Sequence, residues 1–162
     1  MLNIIVAIDK KNGIGKDNDL LADIKPDMKH FVKTTKNSVV VMGYNTYLSL
    51  PGGPLKNRLN IVLTRKDIEI PGCAVMHSID EFLGKMNDLA EGREVFVIGG
   101  ASIYEQFMEH ADRLHITHIF DTFEADTYFP VIDDSWALVS STADRENIEH
   151  KHPHMFAVYE KK

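Results

Sequence analysis

The stretch Val95-Phe96-Val97-Ile98-Gly99-Gly100-Ala101-Ser102 runs from an apolar, β-branched strand through two glycines into the start of a helix. An earlier stretch, Val39-Val40-Val41-Met42-Gly43-Tyr44-Asn45-Thr46, has the same order with one glycine. Similar apolar runs recur at residues 4–8, 60–63 and 114–119, with helix-period segments between several of them. That alternation reads as an α/β fold. The clearest helix covers residues 79–89. Ser78 and Glu81 form a capping-box pair, Ile79, Phe82, Leu83 and Met86 share one face, and Gly92 lies just beyond the end. A second helix is expected over 26–35, with Pro26 in the first helical position and Met28, Phe31 and Val32 as its apolar stripe. Others are expected over 101–109 and, shorter, over 44–50. The last quarter differs: residues 136–142 and 156–160 read as strands joined through 145–153 in a long antiparallel hairpin. The expected architecture is a mixed, mostly parallel sheet flanked by about four helices, with that hairpin at its C-terminal end.

The chain has 162 residues, 44% hydrophobic and 26% charged, with no linker-like stretch or internal repeat, so one domain over 1–162 is expected. Its longest apolar run, residues 4–8, is far short of the about 20 residues of a membrane span, and no secretory leader is evident. The single cysteine, Cys73, allows no internal disulfide and no multi-cysteine metal site, which points to a reducing cytoplasm. The formal charge is −6, from 24 acidic and 18 basic residues. Nucleic-acid binding needs a basic surplus, so no nucleic-acid partner is expected. A small anion, met by a local cluster of donors, remains open.

The two glycine turns admit two readings. A helix start presents unpaired N–H groups and glycine allows a phosphate close to the backbone, but the same residues also make plain tight turns. Neither turn matches G-x-G-x-x-G, and residues 9–12 follow the first strand without glycine, which disfavours a Rossmann domain. Thr64-Arg65-Lys66 places a hydroxyl and two cations at a strand end, where open α/β sheets bind ligands, although a solvated turn is the ordinary reading. Asp27, in a first helical turn, ordinarily complements the helix dipole. Beside Met28, Phe31 and Ile5 it is alternatively a carboxylate facing an apolar pocket, able to bind an amidine-like ring edge at two points. Residues 10–21, with Gly13 and Gly15, read as a lid. His150, His152 and His154 alternate and would share one side of a strand, yet no carboxylate or cysteine framework accompanies them, so no metal is expected.

Taken in order, Ile4-Ile5-Val6-Ala7, Gly13-Ile14-Gly15-Lys16-Asp17-Asn18, Pro26-Asp27-Met28-Lys29-His30-Phe31, Val41-Met42-Gly43 with Thr46, Pro54-Leu55-Lys56-Asn57-Arg58, Ile98-Gly99-Gly100-Ala101-Ser102-Ile103-Tyr104 and Asp126-Thr127-Tyr128-Phe129-Pro130 resemble the dihydrofolate reductase family. The resemblance runs from the first strand to the last and is closest to the short bacterial type. It implies a largely parallel eight-stranded sheet and a monomer. The implied reaction is hydride transfer from NADPH to C6 of dihydrofolate with protonation at N5, open to antifolate inhibitors.

Residue by residue, the resemblance makes Asp27 the one ionisable side chain on the pterin, supported by Thr117, with Leu20 and Tyr104 completing the catalytic set. Ile5, Val6, Ala7, Met28, Phe31, Leu50, Leu55 and Ile98 would line the substrate, and Arg58 would grip its α-carboxylate. Ala7, Ile14, Gly15, Asn18, Leu20, Ile98 and Tyr104 would meet the nicotinamide end of the cofactor. Gly43, Tyr44, Asn45, Thr46, Gly99, Gly100, Ala101, Ser102 and Ile103 would cradle its pyrophosphate, with a cis bond between Gly99 and Gly100. Leu63, Thr64, Arg65 and His77 would receive the adenosine and its 2′-phosphate. Three departures stand out. Leu21-Ala22 replaces the common Pro-Trp, Tyr44 stands where arginine is frequent, and Ser102 replaces an arginine sometimes seen in the glycine turn. Two rival readings are a reductase of the same fold acting on another pterin-like or pyrimidine ring, and a nucleotide-binding module without catalysis.

Overall fold

Apolar runs and helix-period segments do alternate along the chain. The computed structural model describes residues 1–162. Its elements are β1 (Leu2–Ile8), β2 (Gly13–Gly15), α1 (Lys25–Thr35), β3 (Val39–Gly43), α2 (Tyr44–Ser49), β4 (Leu59–Leu63), β5 (Cys73–Met76), α3 (Ile79–Ala90), β6 (Val95–Gly99), α4 (Ala101–Phe107), β7 (Arg113–Ile119), β8 (Thr127–Tyr128), β9 (Trp136–Thr142), α5 (Arg145–Ile148) and β10 (His154–Lys161). Eight strands form one sheet in the order β5-β4-β3-β6-β1-β7-β10-β9. All pairs from β5 to β7 are parallel, while β10 runs antiparallel to both β7 and β9. The expected mixed sheet with an antiparallel C-terminal hairpin is therefore what the chain forms.

Alternation sorts the strand residues between two faces. Leu2, Ile4, Val6 and Ile8 join Val39, Val41, Ile61, Val95 and Val97 in a core cluster of 20 buried residues. Phe82 of α3 and Phe107 of α4 close it, edge to face with centroids 6.1 Å apart. Ile5, Val40, Met42, Val62 and Phe96 belong to a second, smaller cluster that Phe31, Leu50, Leu55 and Ile98 flank. That second face is only partly roofed, and the site lies there.

Several expectations need correction. α1 starts at Lys25, so Pro26 is its second residue, and Thr35 is the only buried residue of the helix. Of the stripe, Phe31 packs against the second cluster, while Met28 and Val32 are 47% and 53% exposed. Ser78 does cap α3 by accepting the Glu81 N–H at 3.0 Å, but the Glu81 carboxylate accepts from His77 N–H, one residue earlier than a capping box requires. Beyond the four expected helices there is a fifth, α5, inside the C-terminal hairpin. The edge strand β5 and the β2–β8 ribbon were also unexpected. Of the three alternating histidines only His154 lies in a strand. It is fully buried, with Nδ1 against the His152 carbonyl at 2.7 Å and Nε2 against Asn147 Nδ2 at 3.2 Å. His152 meets Asp121 at 2.9 Å instead of joining its neighbours.

Candidate active site

Asp27 stands in the first turn of α1 and faces Thr117 of β7, whose Oγ1 donates to Asp27 Oδ1 at 2.6 Å. Burial raises the carboxyl above its ordinary range. The Thr117 hydrogen bond and the imidazoles of His30 and His154 act in the opposite direction and are outweighed. His30, one turn further along α1, stacks on Phe156 with centroids 3.9 Å apart. Strand pairing sets Ala7 of β1 directly beside Thr117. Ile5, Phe31, Leu50, Leu55 and Ile98 gather on the same face of the sheet, giving the carboxylate an apolar surround. Val6 points the other way, into the main core, so of its atoms only the backbone is left for the cleft.

Tyr104 is fully buried and donates its hydroxyl to the Ile5 carbonyl at 2.9 Å. Burial pushes the phenol far up, so it stays protonated and braces α4 against β1. This hydroxyl is committed to the backbone. Arg58 lies at the other end of α1. Its Nε donates to Thr35 Oγ1 at 3.0 Å and its terminal nitrogens to the carbonyls of Lys56 and Val32. Eight residues separate Asp27 from Thr35, or about 12 Å along a helix. The cleft thus has a carboxylate at one end and a guanidinium at the other, with an apolar wall between.

The two glycine turns meet at the end of the sheet. β6 carries one extra residue, Ile98, where the register with β3 passes from Val41↔Val97 to Met42↔Gly99. Such a bulge re-aims side chains beside it. The Gly99-Gly100 bond is cis, as the resemblance implies. A side-chain carbon on Gly99 or Gly100 would lie 3.0 or 3.3 Å from Thr46 Oγ1, and one on Gly43 would lie 3.1 Å from Ile103. A side chain at any of the three would press on Thr46 or Ile103, and a backbone this bare at the start of a helix suits a pyrophosphate. Thr64 and His77 adjoin just past the ends of neighbouring strands β4 and β5, His77 Nδ1 lying 2.9 Å from the Thr64 carbonyl. The Leu63 side chain is buried in the main core, so it offers backbone alone.

The lid is more ordered than residues 10–21 suggested. Gly13–Gly15 pairs with Thr127–Tyr128, and added side chains would strike Asp9 and Ala125 at Gly13 or Thr127 at Gly15. Asp17 N–H donates to Asp126 at 2.9 Å, and Asn18 Nδ2 reaches the Asn45 carbonyl at 3.2 Å. The lid is thereby latched to the start of α2. Leu20, expected to close over the site, is 62% exposed. Asp9 is the residue that sequence reasoning missed. Its buried carboxylate accepts the N–H groups of Lys11, Gly13 and Phe123 at 2.8, 2.8 and 3.0 Å. An Asp followed by Asn12-Gly13 is a turn signal that could have flagged it. Ala22 lines a groove of about 700 Å³ with Leu21, Pro26, Phe123, His150 and His152. No group of three or more potential metal ligands is assembled, and no helix is long and apolar enough to cross a membrane.

Residues 1–161 match the sequence profile described as dihydrofolate reductase. The chain is 41% identical over 165 residues to dihydrofolate reductase of Bacillus subtilis strain 168, covering all of this chain and 95% of that protein. It is 36% identical to the Staphylococcus haemolyticus enzyme, over 99% of this chain and 95% of the relative. A solved structure of dihydrofolate reductase from Enterococcus faecalis, complexed with NADP(H) and RAB-propyl, superposes with a TM-score of 0.89. It is 32% identical, with 100% of this chain and 96% of the other covered.

Proposed function

The chain belongs to the dihydrofolate reductase family and reduces 7,8-dihydrofolate to 5,6,7,8-tetrahydrofolate with NADPH, and we propose that Asp27 governs the proton of that reaction. The observation that carries the proposal is a carboxyl in an apolar cleft, raised by burial and held at 2.6 Å by Thr117. A carboxyl so raised can hold a proton closer to neutral pH than a solvated one, and release it where N5 gains basicity. Its two oxygens suit the N3 and 2-amino edge of the pterin, a two-point contact that sets the ring's face and depth.

When bound, NADPH supplies the hydride that reaches C6. The chain's own residues then have three tasks. Gly43, Gly99 and Gly100 keep side chains out of the junction that would take the pyrophosphate, with Thr46 beside them. Ile5, Phe31, Leu50, Leu55 and Ile98 exclude water around the reacting ring, and Met28 stands at the mouth. Arg58, pre-set by Thr35, Lys56 and Val32, keeps donors for the α-carboxylate of the substrate's glutamate. Ile14 and Gly15 belong to the latched lid, which Asn18 and Asn45 tie to the cradle, and Leu20 closes when ligands fill the cleft. Ala101, Ser102 and Ile103 start α4 beside the glycines, and Thr64, Arg65 and His77 take the adenosine end.

The proposal extends to a monomer in the reducing cytoplasm. It is supported by a cleft whose carboxylate, guanidinium and glycine turns all come from one chain, and by a lone Cys73. The deciding experiment follows NADPH absorbance on adding dihydrofolate, with NADH and an antifolate as controls. Rapid, antifolate-blocked oxidation is expected. NADPH binding without turnover would shift the substrate to another ring.

A further inference from the structure

The first half of α1 carries Asp27 but has little to hold it in place. No side chain caps its start, and its one buried residue, Thr35, lies at the opposite end. Lys25, Met28, Lys29 and Val32 are exposed. A first turn without a cap is prone to fray. Yet the Thr117 hydrogen bond to Asp27 spans helix and sheet, and such a bond tolerates little displacement.

A pair of rings supplies the missing anchor. Asp27 and His30 are three residues apart, so they are neighbours on the helix surface. His30 lies flat on Phe156, with centroids 3.9 Å apart and planes inclined by 12°. Phe156 of β10 is the direct antiparallel partner of Thr117 on β7, which sets both side chains on the same face of the sheet. Helix and sheet therefore meet here through two adjacent pairs, a hydrogen bond and a stack. The platform under His30 is firm. Phe156 is paired on both sides, with Thr117 and with Thr142, and the ring of His154 meets it edge to face at 5.6 Å. His154 is fixed in turn by the His152 carbonyl and the Asn147 side chain.

The titratable and charged groups around this stack are Asp27 and Lys33 from α1, His115 from β7 and His154 from β10. Burial holds the His30 imidazole below its ordinary value, against the pull of Asp27 and with the push of Lys33. At neutral pH the ring thus enters the stack uncharged. We propose that His30, through its stack on Phe156, is the positioning residue that keeps the Asp27 carboxylate within reach of Thr117. The inference rests on Asp27 governing the proton, and it adds what holds that carboxylate in place. Without the stack the first turn drifts from β7, and the Thr117 bond weakens while the apolar surround remains.

The test compares His30→Leu, which fills the volume without a flat ring, with His30→Phe, which restores the ring without the imidazole. NMR titration of the Asp27 carboxyl carbon in the ligand-free protein reads the carboxyl itself, and pH–rate profiles read it in turnover. His30→Leu should move both the titration and the high-pH limb to higher pH, because burial persists while the bond that opposes it loosens. The KM for dihydrofolate should rise about two- to tenfold, the worth of one aromatic contact, with a smaller change in kcat. Phe156→Leu removes the other half of the stack and should do the same, whereas His30→Phe should restore the parental titration. Added to Thr117→Val, His30→Leu should shift nothing further, since both act on one bond. A lower Tm in His30→Leu with the Asp27 titration unmoved would overturn the inference, leaving a stabilising contact alone. So would additive shifts in the double variant, or a shift in His30→Phe as large as in His30→Leu, which would assign the effect to the imidazole's charge. Parental turnover by Asp27→Asn would instead remove the proton role of Asp27, a failure these titrations distinguish because they need no turnover.

Discussion

Thr117 Oγ1 donates a 2.6 Å hydrogen bond to Asp27 Oδ1, joining strand β7 to the first turn of α1 across the cleft. The bond favours the ionised carboxylate, while burial favours the protonated acid more strongly. Removing the donor leaves burial unopposed by its largest counterweight. Thr117→Val should therefore move the high-pH limb of the rate profile to higher pH. It should also raise the KM for dihydrofolate about tenfold, because the carboxylate loses its fixed orientation. A profile superposable on the parent's would show that Thr117 neither orients nor tunes Asp27.

Arg58 spends three of its donors on the chain itself, through Thr35 Oγ1 and the carbonyls of Lys56 and Val32. Its remaining N–H groups are thus pre-aimed. Arg58→Lys keeps the charge and loses the fork, so the KM for dihydrofolate should rise by about 10- to 100-fold with little change in kcat. A dihydropterin that lacks the glutamate should be reduced equally well by both proteins. An equal loss on both substrates would make Arg58 a structural brace alone.

The parallel strands were legible because β-branched runs such as Val39–Gly43 and Val95–Gly99 end in glycine and lead straight into helices. Cys73–Met76 was not legible, since four residues at a sheet edge after Pro71-Gly72 carry no periodic signal. The β2–β8 ribbon has no pattern of its own and depends on Asp9, 114 residues from its partner Phe123 in sequence. Met28, Phe31 and Val32 mark an apolar face of α1, but their spacing is the same for a helix facing a core and one facing an open cleft. Asp27, its anchor Thr117 and Arg58 could be singled out by residue type and resemblance, whereas Thr35, the anchor of Arg58, is a tertiary fact. The His30–Phe156 stack is likewise a matter of tertiary pairing between α1 and β10, which no local window contains.

Two half-buried groups give stability opposite dependences on pH. His115, hydrogen-bonded through Nε2 to Asn3 at 3.3 Å, is held down to about 4 by burial and by Arg113 and His30. Between that value and the ordinary one, the unfolded chain binds more protons, so stability falls on acidification through this window. His115→Gln should flatten the decline in Tm from neutral pH toward about pH 4. Asp27 behaves in the reverse sense: its raised carboxyl makes the folded state the better proton binder, and stability falls as pH rises through the interval above the ordinary carboxylate value. Asp27→Asn should raise Tm most at alkaline pH, with the advantage shrinking in acid. Parallel Tm curves for either variant and the parent would contradict these assignments.

The role of Asp27 is tested most directly by following NADPH consumption with dihydrofolate for the parent and Asp27→Asn from about pH 5 to 9. At neutral pH the variant should be about 10²- to 10⁴-fold slower, recovering steadily as acid supplies the proton from solvent, while its affinity for NADPH alone is retained. A variant that turns over at the parental rate at neutral pH would contradict the account, because the proton would then reach N5 without Asp27.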